Sequence, residues 1–164
     1  MKYFLIAILF GICLFVGFLV SNKYRQRSAF FKALVLVCQK LNVEISFSRE
    51  RLKNLVGSFD QQTKKSLCGL TDNYLAFIEQ ESPLDKESLF KNIKFLKEDE
   101  KDIIFLFFRS LGRSDVDSQS KELSNFEKRF ESLVTSSAEE NKKYGKLSFK
   151  LGIMAGLLIV IVLI

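Results

Sequence analysis

Residues 115–164 read DVDSQSKELSNFEKRFESLVTSSAEENKKYGKLSFKLGIMAGLLIVIVLI. Val116, Leu123, Phe126, Phe130, Leu133 and Val134 recur at spacings that share one face of an α-helix. No proline interrupts the stretch, and residues 151–164 carry no charge. It therefore predicts a long helix that starts in a folded core and continues into lipid. Unbroken from Asp115 to Ile164, such a helix extends about 75 Å, with Gly145 and Gly152 as the places where it can bend.

The other end of the chain has a matching feature. Residues 3–20, YFLIAILFGICLFVGFLV, are 18 in number and uncharged, close to the roughly 20 apolar residues that cross a bilayer. The run is too long for the core of a signal peptide, and it ends in bulky Phe18-Leu19-Val20 instead of small cleavage-site residues. Ile12 precedes Cys13, where a lipoprotein signal has a small residue. An uncleaved anchor is expected. The C-terminal run gains length if its span begins near Leu147, leaving Lys150 as its only charge. A lysine stem can lie along lipid while its ammonium reaches the headgroups.

Charge gives the orientation. Lys23, Arg25, Arg27 and Lys32 follow the first span, and Lys142, Lys143, Lys146 and Lys150 precede or enter the second. Lys and Arg beside membrane ends favour the cytoplasmic side. Both termini are thus expected outside, with an anchor at 1–21, a cytoplasmic domain at 22–144 and a second span at 145–164. The same residues account for the basic balance of 25 Lys+Arg against 19 Asp+Glu. Residues 33–140 hold 16 Lys+Arg and all 19 acids. The positive surplus lies where anionic headgroups attract it, so membrane lipids are expected as partners and nucleic acid is not.

The middle reads as all-α, a bundle of about six helices. Phe30, Leu34, Val37, Cys38 and Leu41 mark a first helix over roughly 28–42. Leu52, Leu55, Val56 and Phe59 mark a second, with Ser48 as its N-cap. Leu67, Leu70, Tyr74, Phe77 and Ile78 mark a third, which contains Gly69. Ser82-Pro83 has the form of a cap followed by proline at the first helical position, opening a fourth helix with Leu84, Leu89, Ile93 and Leu96. Glu98-Asp99-Glu100 suits the positive end of a fifth helix dipole, followed by Ile103, Ile104, Phe107, Phe108 and Leu111. Gly112 stands where a left-handed residue stops that helix. Ser114 then caps the sixth, with Asp115 and Asp117 in its first turn. Phe108 and Phe130 are expected in the core.

The chain has no histidine, and its cysteines stand at 13, 38 and 68 without a CxxC pair. The commonest general base and metal ligand is therefore missing, and no zinc or disulfide framework is implied. Cys38 and Cys68 are read as small hydrophobes on helix faces. No phosphate-binding glycine loop is present, and Ser114 has no base to activate it. No catalytic, cofactor or metal residues are expected, and the protein is read as a non-enzyme. Gly152 and Gly156 form a GxxxG in the second span, which leaves self-association of the chain open.

The run Phe108 to Gln119 contains Leu111, Gly112, Ser114, Asp115 and Gln119 in an LGxSDxxxQ arrangement. It resembles the signature of the stage III sporulation protein AB family. The opening span followed by Asn22 to Arg27, the segment Leu41 to Phe47, and Lys143-Tyr144 ahead of the last span are similar to that family as well. The resemblance implies a part of the secretion-like channel complex that the mother cell builds around the forespore. Its soluble domain would look like the cytoplasmic domain of the F platform protein of type II secretion systems. The implied partners are a cytoplasmic secretion-type ATPase and other membrane proteins of the complex. Leu111, Gly112, Ser114, Asp115 and Gln119 would form a rigid corner between the fifth and sixth helices. Two rival readings share the physical features: a platform protein of a pilus or secretion system, and a membrane-anchored regulator that sequesters a partner.

Overall fold

The computed structural model describes residues 2–45, 58–80, 83–112 and 115–163. Among these, every regular element is helical: α1 (Lys2–Ile45), α2 (Gln61–Ser66), α3 (Leu70–Gln80), α4 (Lys86–Leu89), α5 (Glu98–Ser110), α6 (Val116–Glu140), a π turn (Asn141–Gly145) and α7 (Lys146–Leu163). The all-α expectation is met, and the two longest apolar stretches lie on helices able to cross a membrane. Only 11% of the most apolar stretch of each is buried, unlike the core helix of a soluble domain.

The chain divides into two compact units, one of residues 1–28 and 135–164 and the other of 29–134. In the first unit α1 and α7 pack through glycines. A Cβ added at Gly17 would lie 3.1 Å from the Ser148 carbonyl oxygen and 3.2 Å from the Gly152 Cα. One added at Gly152 would lie 3.0 Å from the Cys13 carbonyl oxygen, and one at Gly156 would strike the Phe10 ring. Backbones approach this closely only where side chains are absent, which is how small residues hold helices together in lipid. The Gly152/Gly156 pair, read in sequence as a route to self-association, is packed against α1 of its own chain.

The second unit has one hydrophobic core, made by Phe30, Leu34, Val37 and Leu41 of α1, Leu70 and Tyr74 of α3, Ile104, Phe107 and Phe108 of α5, and Leu123 and Phe130 of α6. Phe107 is its hub, with ring centroids 5.0 Å from Phe108, 5.4 Å from Phe126 and 5.3 Å from Phe130. Edge-to-face pairs of this kind add stabilisation beyond buried area. Phe108 and Phe130 are core residues, as expected.

Several local expectations are corrected. The third helix does not include Leu67: Cys68 and Gly69 have φ of 53° and 81° and break the chain between α2 and α3. Cys68 therefore sits in a turn, not on a helix face. The fourth helix is only Lys86–Leu89, and its cap is Asp85, whose carboxylate accepts from the Ser88 N–H at 2.9 Å. Pro83 precedes that cap instead of opening the helix, and Ser82 lies outside the described residues. Ile93 and Leu96 are buried as expected but beyond the helix. The expected second helix, with Ser48, Leu52, Leu55 and Val56, falls outside the described residues, and its last member, Phe59, is buried in a turn. The long C-terminal helix does run into the apolar segment, but through a π turn that ends at Gly145.

Candidate functional site

The corner between α5 and α6 begins at Leu111, which is 6% exposed and ends α5. Gly112 follows at φ 75°, a conformation that costs a glycine nothing and other residues strain. Its N–H donates to the Gln119 side-chain oxygen at 2.9 Å. Gln119 is 2% exposed, and its amide nitrogen has no partner among the described residues. Asp115 caps α6: its carboxylate accepts from the Ser118 N–H at 3.2 Å, and its carbonyl accepts from the Gln119 N–H at 2.8 Å. Hydrogen bonds from the Ser118 side chain and backbone hold the Asp115 carboxyl below its ordinary pKa. The cap role expected of Ser114 is filled by Asp115, and Ser114 itself lies outside the described residues. Gly112, Asp115 and Gln119 are thus linked by hydrogen bonds, with Leu111 next to Gly112 in sequence. Among the described residues these groups bond to one another and to Ser118.

At the start of α5, Glu100 reaches back so that its carboxylate accepts the Lys97 N–H at 2.9 Å. The acids read in sequence as dipole partners include this capping group. Among the described residues no group of three His, Cys, Asp or Glu is placed to hold a metal ion.

The basic residues near the apolar segments fall into two kinds. Lys23, Arg25, Lys142, Lys143, Lys146 and Lys150 are exposed. Arg27 is not part of that solvated set: it is 5% exposed and forms an ion pair with Glu140 of α6, within the same unit. A buried guanidinium needs such a partner, because desolvating an unpaired charge is costly. One turn away, the Tyr24 and Tyr144 rings lie 6.1 Å apart.

The family model described as stage III sporulation protein AB matches residues 2–164. The chain belongs to the stage III sporulation protein AB family. No curated protein and no solved structure matches it. Membership of the stage III sporulation protein AB family gives the chain a role in sporulation, and the match takes in residues 60–96, where the resemblance read in sequence has no motif.

Three features of this family member were missed in sequence: the Arg27–Glu140 pair, the π turn, and Gly17 as the counterpart of Gly152. A signal for the last exists. Cys13, Gly17 and Ser21 repeat every four residues in the first span, as Ser148, Gly152 and Gly156 do in the second. The ion pair has no local signal, since its partners are 113 residues apart.

Proposed function

We propose that the chain is a non-enzymatic membrane subunit of the secretion-like channel complex between mother cell and forespore. In this reading its core unit lies in the mother-cell cytoplasm, both termini lie outside, and the protein couples a cytoplasmic secretion-type ATPase to the membrane complex. The observation that carries it is continuity. Both apolar segments extend helices that also bear core residues: Phe30, Leu34 and Leu41 on α1, and Leu123 and Phe130 on α6 ahead of α7. A change imposed on the core passes toward the membrane through hydrogen-bonded helix instead of a flexible loop. Family membership supports the sporulation setting. The exposed Lys23, Arg25, Lys142, Lys143 and Lys146 support the orientation, because each lies at the charged end of a span.

The test is affinity purification of tagged full-length protein from sporulating cells in mild detergent. The coupling reading expects the ATPase to be retained, and its absence under conditions that preserve other membrane partners overturns it. Orientation is read separately with a cysteine at position 25 in a cysteine-free chain. Labelling of intact cells by an impermeant maleimide contradicts a cytoplasmic core.

A further inference from the structure

The face that α6, the π turn and α7 present within the membrane unit has an unusual register. Ser137, Gly145 and Gly156 are buried, and Asn141, Ser148 and Gly152 are half-buried. These six positions are separated by four, four, three, four and four residues. In a regular α-helix the nineteen residues from Ser137 to Gly156 turn about 1900°, which puts Gly156 about 100° off the line, the turn of one residue. The wider π turn at Asn141–Gly145 absorbs that surplus, because each of its residues turns the chain by less. Gly145 suits the position: a Cβ there would lie 2.6 Å from the Asn141 side-chain oxygen and 3.5 Å from the Tyr24 Cβ.

The same helix carries a second seam. Glu140, Tyr144, Leu147, Leu151, Met154 and Leu158 are spaced four, three, four, three and four, the repeat that a regular helix presents to a neighbour without any extra residue. Leu147, Leu151, Met154 and Leu158 are 47%, 54%, 60% and 61% exposed. Glu140 and Tyr144 already meet Arg27 and Tyr24 of α1; whether Leu147, Leu151, Met154 and Leu158 follow them onto α1 depends on whether the five residues at 141–145 are π or α.

We propose that the π turn is a one-residue rotary switch. While it is present, Gly152 and Gly156 face α1; its conversion to regular α-helix turns α7 by about 100° about its axis and presents Leu147, Leu151 and Leu158 instead. The switch rests on the coupling reading above, since it is the step by which a change in the core becomes a rotation in the membrane.

Cys13 provides the probe. A Cβ at position 156 lies 3.6 Å from the Cys13 Cβ, inside the range of about 3.5–4.5 Å that a disulfide needs. Full-length protein carrying Cys38→Ser, Cys68→Ser, Phe10→Ala and Gly156→Cys is oxidised in native membranes, Phe10→Ala making room for the new side chain. The intramolecular cross-link is expected to form. Deleting Lys142 leaves the turn one residue short, so that a regular helix holds the same small-residue face on α1. The cross-link is therefore expected to persist while heat-resistant spores are lost, because no extra residue remains to release. Lys142→Ala controls for the lost charge and is expected to keep both. Loss of the cross-link on deletion means the turn is regular in the membrane and overturns the proposal, as does its absence from the undeleted chain. A deletion strain that still forms spores at the parental level also overturns it. Retention of the ATPase by the deletion variant separates failure of the switch from failure of the coupling reading.

Discussion

The Gly112 N–H and the Gln119 side-chain oxygen, 2.9 Å apart, tie the end of α5 to the first turns of α6. Gly112 takes a left-handed conformation just past the end of α5, and the Gln119 side-chain oxygen accepts its N–H, which lies outside either helix. Gly112→Val forces a β-branched residue to φ 75°, at a cost of about 1–3 kcal/mol. Gln119→Ala removes the acceptor and costs about 1 kcal/mol, at the low end because it also removes an unpartnered amide nitrogen. Both are measured as shifts in the detergent melting curve by circular dichroism. Midpoints equal to the parent's in both variants would show that the corner carries no stability.

The glycines of the membrane unit differ in how much space surrounds them. Gly17 and Gly152 face backbone within 3.2 Å of an added Cβ, whereas Gly11 has nothing within 4 Å. Gly17→Leu or Gly152→Leu is expected to destabilise by about 1–3 kcal/mol through overpacking. Gly11→Ala is expected to be neutral or mildly stabilising, since alanine suits a helix interior better than glycine. Thermal unfolding of the three variants in one detergent decides the matter; equal losses at Gly11 and Gly17 contradict the packing described.

Three exposed aspartates, Asp60, Asp85 and Asp115, cap α2, α4 and α6, and hydrogen bonds from Thr63, Ser88 and Ser118 respectively lower their carboxyl pKa values below 3.8. A folded-state pKa below the unfolded one contributes stability above the unfolded value and loses it as pH falls through the folded value. Melting temperature is thus expected to drop on acidification below 3.8. Asparagine caps without titrating, so the triple Asp→Asn variant keeps its neutral-pH melting temperature and shows a shallower acid limb. An acid limb as steep as the parent's assigns the effect to other carboxylates.

Cys38 is fully buried, and its thiol donates to the Leu123 carbonyl at 3.2 Å. Burial first, and the Glu127 carboxylate second, push its pKa up to about 12 from 9.0. The native state therefore keeps a proton that the unfolded chain gives up above 9.0, so this group's contribution to stability declines as pH rises from 9.0 toward 12. Iodoacetamide at pH 8, followed by mass mapping, is expected to modify half-buried Cys68 well before Cys38. The reverse order contradicts the burial of Cys38 in the core.

Legibility from sequence followed the range of the interactions. The Gly112 turn, the acids that open α5 and the apolar face of α6 are set within a few residues, and spacing exposes them. The break at Cys68-Gly69 was hidden because Leu67, Leu70 and Tyr74 keep a helical rhythm across it, and the turn preserves their burial. Ile93 and Leu96 show the same ambiguity: they reach the core from an irregular segment, and burial alone does not specify a helix. Arg27 reads as one more basic residue until Glu140 is beside it. The π turn was masked by the Leu147, Leu151, Met154 and Leu158 repeat, whose regularity outweighs the quieter repeat of small residues. At the corner, Leu111, Gly112, Asp115 and Gln119 were legible as a group, while the division of labour between a backbone donor and a buried amide was not.

The Tyr24–Tyr144 pair makes the membrane unit optically addressable. The chain contains no tryptophan and only four tyrosines, so ultraviolet emission comes from few rings. Two of them are 6.1 Å apart, one on α1 and the other within the π turn. Excitation migrates between rings at that separation and depolarises their emission. Converting the π turn to regular helix moves Tyr144, which lies within it, and so alters the distance between those rings. Anisotropy of the native protein thus gauges the state of the turn without any attached dye.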